Sequence, residues 1–495
     1  MKLQFLFTLL LLAVVSPAVA QDGPGYSHTG PTIIKGVRVI DGLGNAPQEN
    51  QDILIVDGKI ASMGEAGNLP TPESALEIDG KGMTVLPGLI DMHVHLQGGW
   101  ANGTIPGDRY KPRYDEASVQ QSLNAQLYAG VTTVLDCGSD HEYVLKWRKR
   151  INDGDVFGPR FYTTGAPWDQ EPSGWEAGNT TGDATFGRST KVTAIAALPE
   201  QMERYKKDEI EIIKLYSGLS PHAAGFVVKE AHKRDIVVIA DFWRMNMDRI
   251  IMEATGLDGW AHGSPSEIPD SSNKWMAKND RFCIVTATLG EAMSALRVKD
   301  EDGKQLMLKE PLIVDVWGEE TVKEFYSVYP QIRHEYYDGP EAFYQQNGFG
   351  DLSRFRAKFF ENIKNAHDAG VLLAGGSDCV YPSLWDGEVM HRELELFVMA
   401  GVEPVQAIKC CTYNGAKILR REKEFGALQK GMSADLLIVE GNPAKDISDT
   451  RNVKHVFLRG KQVDRDSLKV KNCPRSEVHS NSQAESGLDV PVGIP

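Results

Sequence analysis

The chain has 495 residues, 41% of them hydrophobic and 24% charged, the make-up of a globular protein with room for one large domain and a smaller one. Its formal charge is -15 and it has no basic block, which argues against nucleic acid as a partner. Six cysteines in a chain this long do not make a disulfide scaffold, and their spacing selects no pair.

Lys2 precedes an almost wholly apolar run, Leu3 to Val15, and Ala18-Val19-Ala20 offers a small-x-small cleavage site before Gln21. Residues 1–20 therefore read as a secretory signal peptide. The run falls short of the roughly 20 residues that a spanning helix needs, and no later segment is long and apolar enough. The expected product is exported, periplasmic or secreted, without a stable membrane span.

Residues 31–85 carry short strand signals, Ile33–Gly42 and Asp52–Ile60, with Asp57-Gly58 as a hairpin turn. The same texture returns in 421–465, at Ala434–Val439 and His455–Lys461. The two ends are expected to pair into one small β-sandwich domain. Between them, over 86–420, strand-like runs alternate with helical stretches. The first is Met83–Met92. It is followed by Val131–Cys137, Arg160–Thr164, Glu211–Tyr216, Ile236–Phe242, Gly259–His262, Cys283–Leu289 and Val371–Asp378. This α/β pattern predicts a (β/α)8 TIM barrel, with its active site at the carboxyl ends of the strands. Two insertions, 165–190 and 290–360, each follow a strand and are candidate lids. Residues 466–495 read as a disordered tail.

His93-Val94-His95 ends the Met83–Met92 run. Strand alternation puts both imidazoles on one side, where a metal can bridge them. The pair has company downstream: Gly130-Val131-Thr132-Thr133-Val134, Ile213-Lys214-Leu215-Tyr216, Trp260-Ala261-His262-Gly263, Gly376-Ser377-Asp378 and Cys411-Thr412-Tyr413-Asn414-Gly415-Ala416. With Pro87-Gly88-Leu89-Ile90-Asp91 before the histidines, these motifs resemble the amidohydrolase superfamily over roughly 30–465.

The resemblance implies a hydrolase in which His93, His95 and Asp378 hold a first metal, with Lys214 and His262 at a second. It implies zinc, as one or two ions, with manganese as the alternative. It further implies carbon dioxide as a carbamate on Lys214, shared between two metals about 3.5–4 Å apart. Asp378 would take the proton of a metal-activated hydroxide and pass it to the leaving group. Tyr216, two residues beyond Lys214, points the same way and is a candidate donor to the substrate oxyanion; a packed tyrosine is the bland alternative.

The fifth strand departs from the family pattern, because Asp241 stands where a histidine is usual. Asp241 has three readings: a ligand of the second metal, a partner of an uncarbamylated Lys214 in a one-metal site, or a mark of lost activity. Ligation is favoured, because a cation stabilises a facing acid. His232 reads as a helical structural residue; His141, after the second strand, is a candidate to face the pocket, with a surface histidine as the default. His391 and Glu393 read as scaffold residues or supports of the site. Trp168, Trp175 and Trp243 are candidates for a pocket wall, although most tryptophans simply pack.

The retained lysine points toward the prolidase-like and N-acyl amino acid hydrolase branch. The expected activity is cleavage of an amide-type C–N bond in a small-molecule substrate. Cyclic amides, lactones and organophosphate esters are alternatives, as is a non-catalytic binding relative. Relatives by analogy suggest a homo-oligomer.

Overall fold

Alternating apolar and polar residues build the first strands of the chain, in a computed structural model that describes residues 25–96, 116–169, 190–192, 195–216, 218–241, 246–293, 307–323, 352–379 and 384–470. The signal-peptide reading, Trp175, Trp243, residues 471–495 and most of both insertions lie outside the described residues. The strands β1 (Tyr26–His28), β2 (Thr32–Val39), β3 (Gln48–Val56), β4 (Lys59–Glu65), β5 (Leu76–Asp79) and β6 (Met83–Pro87) come in succession. The β3–β4 hairpin turns at Asp57 and Gly58, with φ of 50° and 78°. A two-residue turn that follows the strand twist needs positive φ at both positions, which is why this pair stands there.

The run Met83–Met92, expected as one strand, is two. β6 pairs with the small sheet, and β7 (Leu89–Val94) begins a parallel one. Gly88 is the switch. Its N–H reaches Asp435 O at 2.9 Å, and a Cβ there would lie 2.1 Å from Thr132 Oγ1, so only glycine fits.

Nine further strands follow: β8 (Val131–Asp136), β9 (Arg160–Thr163), β10 (Trp168–Asp169), β11 (Thr190–Lys191), β12 (Ile212–Leu215), β13 (Val237–Ala240), β14 (Gly259–Trp260), β15 (Phe282–Ile284) and β16 (Leu372–Ala374). With β7 they form two all-parallel sheets, β7-β8-β9 and β11-β10-β12-β13-β14-β15-β16. Helices fill the intervals, among them Glu116–Tyr128, His141–Asp153, Leu198–Lys207, Pro221–His232, Asp270–Lys278 and Leu352–Asp368. Met92 N donates to Gly375 O at 3.2 Å, which brings the first strand of one sheet beside the end of the other's last strand. The predicted strand Cys283–Leu289 stops at Ile284, and a helix runs from Ala287 to Met293.

The chain then returns to the small sheet with β17 (Leu436–Glu440), β18 (Val453–Leu458) and β19 (Lys461–Val463). The two ends do meet in one strand-rich unit. Its nine strands are joined in a single mixed sheet, where two separate layers were expected. Ile34, Ile53, Ile55, Val85, Leu436, Ile438 and Phe457 share its apolar core.

Arg451 ties this unit to the helix Glu388–Met399, with Nη1 2.5 Å from Glu388 and Nε 2.6 Å from Glu395. The tail is anchored further than predicted. Arg465–Leu468 forms a helical turn, and Val470 N donates to Asp315 O at 2.9 Å. The described part of the second insertion, with the helix Pro311–Trp317, is packed as scaffold. Gln121 Nε2 donates to Val316 O at 2.8 Å, and Trp317 stacks near Trp385. No helix among the described residues is long and apolar enough to cross a membrane.

Candidate metal centre

The inner apolar cluster of the parallel strands explains how the polar residues come together. Ile90 and Met92 of β7, Ile212 of β12, Val237 and Ile239 of β13 and Ile284 of β15 fill it. Two residues past Ile212 stands Lys214, and two past Ile239 stands Asp241, so alternation keeps both on that inner side at the carboxyl ends. His93 and His95 end β7, His262 follows β14 and Asp378 follows β16.

These six residues converge. Asp378 Oδ1 lies 3.4 Å from His95 Nε2 and 3.7 Å from His93 Nε2, and Asp378 Oδ2 is 3.9 Å from His262 Nε2. Asp241 Oδ2 is 3.3 Å from His262 Nε2, and Lys214 Nζ is 3.1 Å from His93 Nε2. The rings of His93 and His262 stack at 4.5 Å. Tyr216 places its ring 4.8 Å from Lys214 Nζ.

The outer ring nitrogens fix the chemistry of the inner ones. His93 Nδ1 faces Ala261 O at 2.9 Å, and His95 Nδ1 faces Gly138 O. A carbonyl only accepts, so each Nδ1 carries the proton and each Nε2 offers a lone pair to the centre. His262 Nδ1 meets Thr286 Oγ1 at 2.8 Å. Burial, and then the neighbouring Lys214 and His262, hold His93 well below the usual imidazole range, so it stays neutral. Burial alone would raise Asp378, but His95, His262 and Lys214 outweigh it and keep the carboxyl below its ordinary value.

Asp378 Oδ1 is buried with no hydrogen-bond partner, and the ligand atoms of His93, His95 and Asp378 all lie within 4.8 Å of one another. Two inward-facing imidazole nitrogens and a carboxylate with an unsatisfied oxygen fit a divalent transition ion.

Asp91 and Asp136 were not assigned a role from the sequence, whereas Glu393 was read as scaffold or a support of the site. Asp91 Oδ1 accepts from His93 N at 3.1 Å and from Ser377 N at 2.9 Å, so it joins β7 to the turn that carries Asp378; burial pushes its pKa up to about 7. Asp136 accepts from Leu96 N and Gly138 N, which fixes the carbonyl that meets His95. Glu393 accepts from Ala287 N and Thr288 N, beside Thr286, and burial raises it to about 7. Asp91 had a signal in its place two residues before His93. The others contact backbone far away in sequence, which no spacing reveals.

Other expectations resolve plainly. Glu393 supports the site, and His391 is scaffold, held between Thr450 Oγ1 and Ala129 O. His232 ends a helix and pairs with Asp258 at 2.9 Å. His141 is not a surface residue: it is buried against Tyr205, with Nε2 2.9 Å from Asp208. Trp168 is fully buried and packs against Tyr205. The five described cysteines are free and buried.

The family model described as Amidohydrolase family matches residues 84–463, from β6 through β19. The chain belongs to the amidohydrolase family. Among amidohydrolases it is similar to ochratoxinase of Aspergillus niger, 26% identical over 451 residues, which cover 87% of this chain and 86% of that protein. A solved Xaa-Pro dipeptidase with bound methionine in the active site aligns at a TM-score of 0.65 and 20% identity, covering 88% of this chain and 99% of that one. The crystal structure of A. niger ochratoxinase aligns at 0.63 and 20% identity, covering 88% and 96%. These structural likenesses show a shared amidohydrolase fold. The chain is thus an enzyme of the hydrolase class.

Proposed function

We propose that this amidohydrolase is an exported, metal-dependent enzyme that cleaves the amide-type C–N bond of a dipeptide or an N-acyl amino acid. The convergence of His93, His95 and His262 Nε2 atoms on Asp378, with Lys214 and Asp241 alongside, carries the reading. The name of the Xaa-Pro dipeptidase supports a dipeptide-like substrate. The bond from Met92 to Gly375 supports closure of the parallel strands into a (β/α)8 barrel over 86–420, flanked by a sheet domain from 31–85 and 421–465. Export rests on the signal-like residues 1–20.

A divalent ion at this centre, zinc or manganese, supplies Lewis-acid polarisation of a carbonyl and a more acidic water. His93, His95 and Asp378 hold the first position. His262, Asp241 and Lys214 hold a second, with Lys214 as its carbamate. Asp378, kept ionised by its neighbours, takes the proton of the attacking water and gives it to the leaving nitrogen as the C–N bond breaks. Tyr216 donates to the substrate oxygen as negative charge develops there.

Metal analysis of the purified protein, with a hydrolysis screen of dipeptides, N-acyl amino acids and lactones on zinc- and manganese-loaded enzyme, tests the proposal. Bound metal with turnover of an amide supports it; absence of any transition metal defeats it. Asp241 against His262 favours a second reading, a metal-holding binding protein, for which no amide would turn over. Amino-terminal sequencing of extracytoplasmic protein checks cleavage before Gln21.

A further inference from the structure

The metal centre sits at the carboxyl ends of the parallel strands. A second recess, of about 470 Å³, opens at their other ends, between the start of β9, the segment before β12, the helix His141–Asp153 and the turn after β18. Its charged lining is Arg148, Arg160, Lys206, Arg421 and Arg459 against Glu209 and Glu211.

Two of these cations are already matched. Arg160 Nε lies 2.7 Å from the buried Asp435, and Arg421 Nη2 meets both oxygens of Glu211 at 2.9 Å. Arg148 is different. Its guanidinium donates to the backbone carbonyls of Glu209, at 3.2 Å, and Asp208, and makes no ion pair. Burial pulls its pKa down, and the acids Glu209, Asp208 and Glu211 offset only part of that. The side chains of Lys206 and Arg459 have no partner among the described residues. In a chain of charge -15, three cations without a carboxylate ion pair among the described residues, Arg148, Lys206 and Arg459, thus face one recess beside the exposed Glu209.

A partly desolvated cation is stabilised most by an anion that hydrogen-bonds it, and guanidinium groups match carboxylate and phosphate oxygens. We propose that this recess binds a small polyanion bearing phosphate or several carboxylates, at a site separate from the metal centre. Arg160 also donates to Ser433 Oγ at 2.9 Å, so the recess lies where the parallel strands meet the small sheet. An anion there touches both units and stabilises the folded chain in proportion to its occupancy. The inference does not depend on which bond the enzyme cleaves.

Calorimetric titration of the full-length, metal-loaded protein with pyrophosphate and with citrate tests it. The expected result is saturable binding of at least one probe, weakened by added salt, with a rise in Tm. The double variant Lys206→Glu with Arg459→Glu changes two exposed side chains and should weaken binding about tenfold or more while metal content stays the same. Tighter pyrophosphate binding marks a phosphorylated ligand; tighter citrate binding marks a polycarboxylate. No saturable binding of either probe overturns the proposal. So does binding that survives the double reversal, which is the behaviour of chelation at the metal centre.

Discussion

Lys214 Nζ lies 3.1 Å from His93 Nε2, on a side chain that is almost wholly buried. His93 Nδ1 is committed to Ala261 O, so Nε2 presents its lone pair to the amine. A metal ion at His93 would need that same lone pair. Carbamate formation on Lys214 would turn the competing donor into an oxygen ligand. Apo-protein reloaded with zinc in carbon-dioxide-free buffer should therefore take up about one ion fewer per chain than protein reloaded with bicarbonate. Lys214→Met should lose the bicarbonate dependence. Elemental analysis after desalting reads both.

Asp241 faces His262 at 3.3 Å. Asp241→Ala should lower metal content by about one ion per chain, whereas Asp241→His should keep it and move preference from manganese toward zinc. Competition loading with both metals measures the shift. Equal metal content in wild type and Asp241→Ala would refute ligation by this carboxylate.

Thr286 supplies the outer partner of His262. Thr286→Val removes it at nearly constant volume. Metal affinity should fall by about 10–100-fold, measured against a chelating dye, with little change in Tm of the metal-free protein.

Asp386 is buried, with Ser122 Oγ at 2.6 Å and Gln126 Nε2 at 3.3 Å. Burial pushes its pKa up to about 6. The folded protein therefore holds this proton more tightly than the unfolded chain does. That stabilisation is complete below the unfolded pKa of about 4 and is lost as pH rises through about 6. Asp386→Asn carries no such dependence. Its stability relative to wild type should climb between about pH 4 and pH 7 by about 3 kcal/mol, then level off. Melting curves of the two proteins across that range decide it; a flat difference would count against the shift.

Arg451 sits among Glu310, Glu388 and Glu395, and Glu388 is buried. Arg451→Met removes the cation that these carboxylates share, although Glu395 keeps Arg392 at 2.6 Å, and should cost about 3–5 kcal/mol. Arg451→Lys should recover only part of that, because one ammonium cannot copy the guanidinium fork. Thermal unfolding of the three proteins at matched metal content is the comparison.

The sequence was most legible where one strand's period carried the information. The two histidines could be paired from their spacing to each other, while Lys214 and Asp241 were placed by the resemblance to the family pattern. It was least legible where one run changes sheets. Pro87-Gly88 gives no sign in the hydrophobic pattern that β6 and β7 part company, because both halves are buried and period alone cannot see which neighbour each strand takes. Ile284 likewise gives way to a helix within a run that stays apolar. His141 misled in the opposite sense. A polar residue opening a helix looks exposed, yet Asp208 and Tyr205, distant in sequence, close over it. Asp136 acts through backbone N–H groups and Thr286 through its hydroxyl on the His262 ring, so their roles became informative only with the fold.

β6 takes β17 as its antiparallel neighbour, and some 350 residues separate the two in the chain. A nascent polypeptide must therefore be translated past Leu436 before that edge gains its neighbour. Until then β6 exposes unpaired amides and carbonyls, an invitation to other chains. Termination before position 436 would leave that edge without the strand that pairs it.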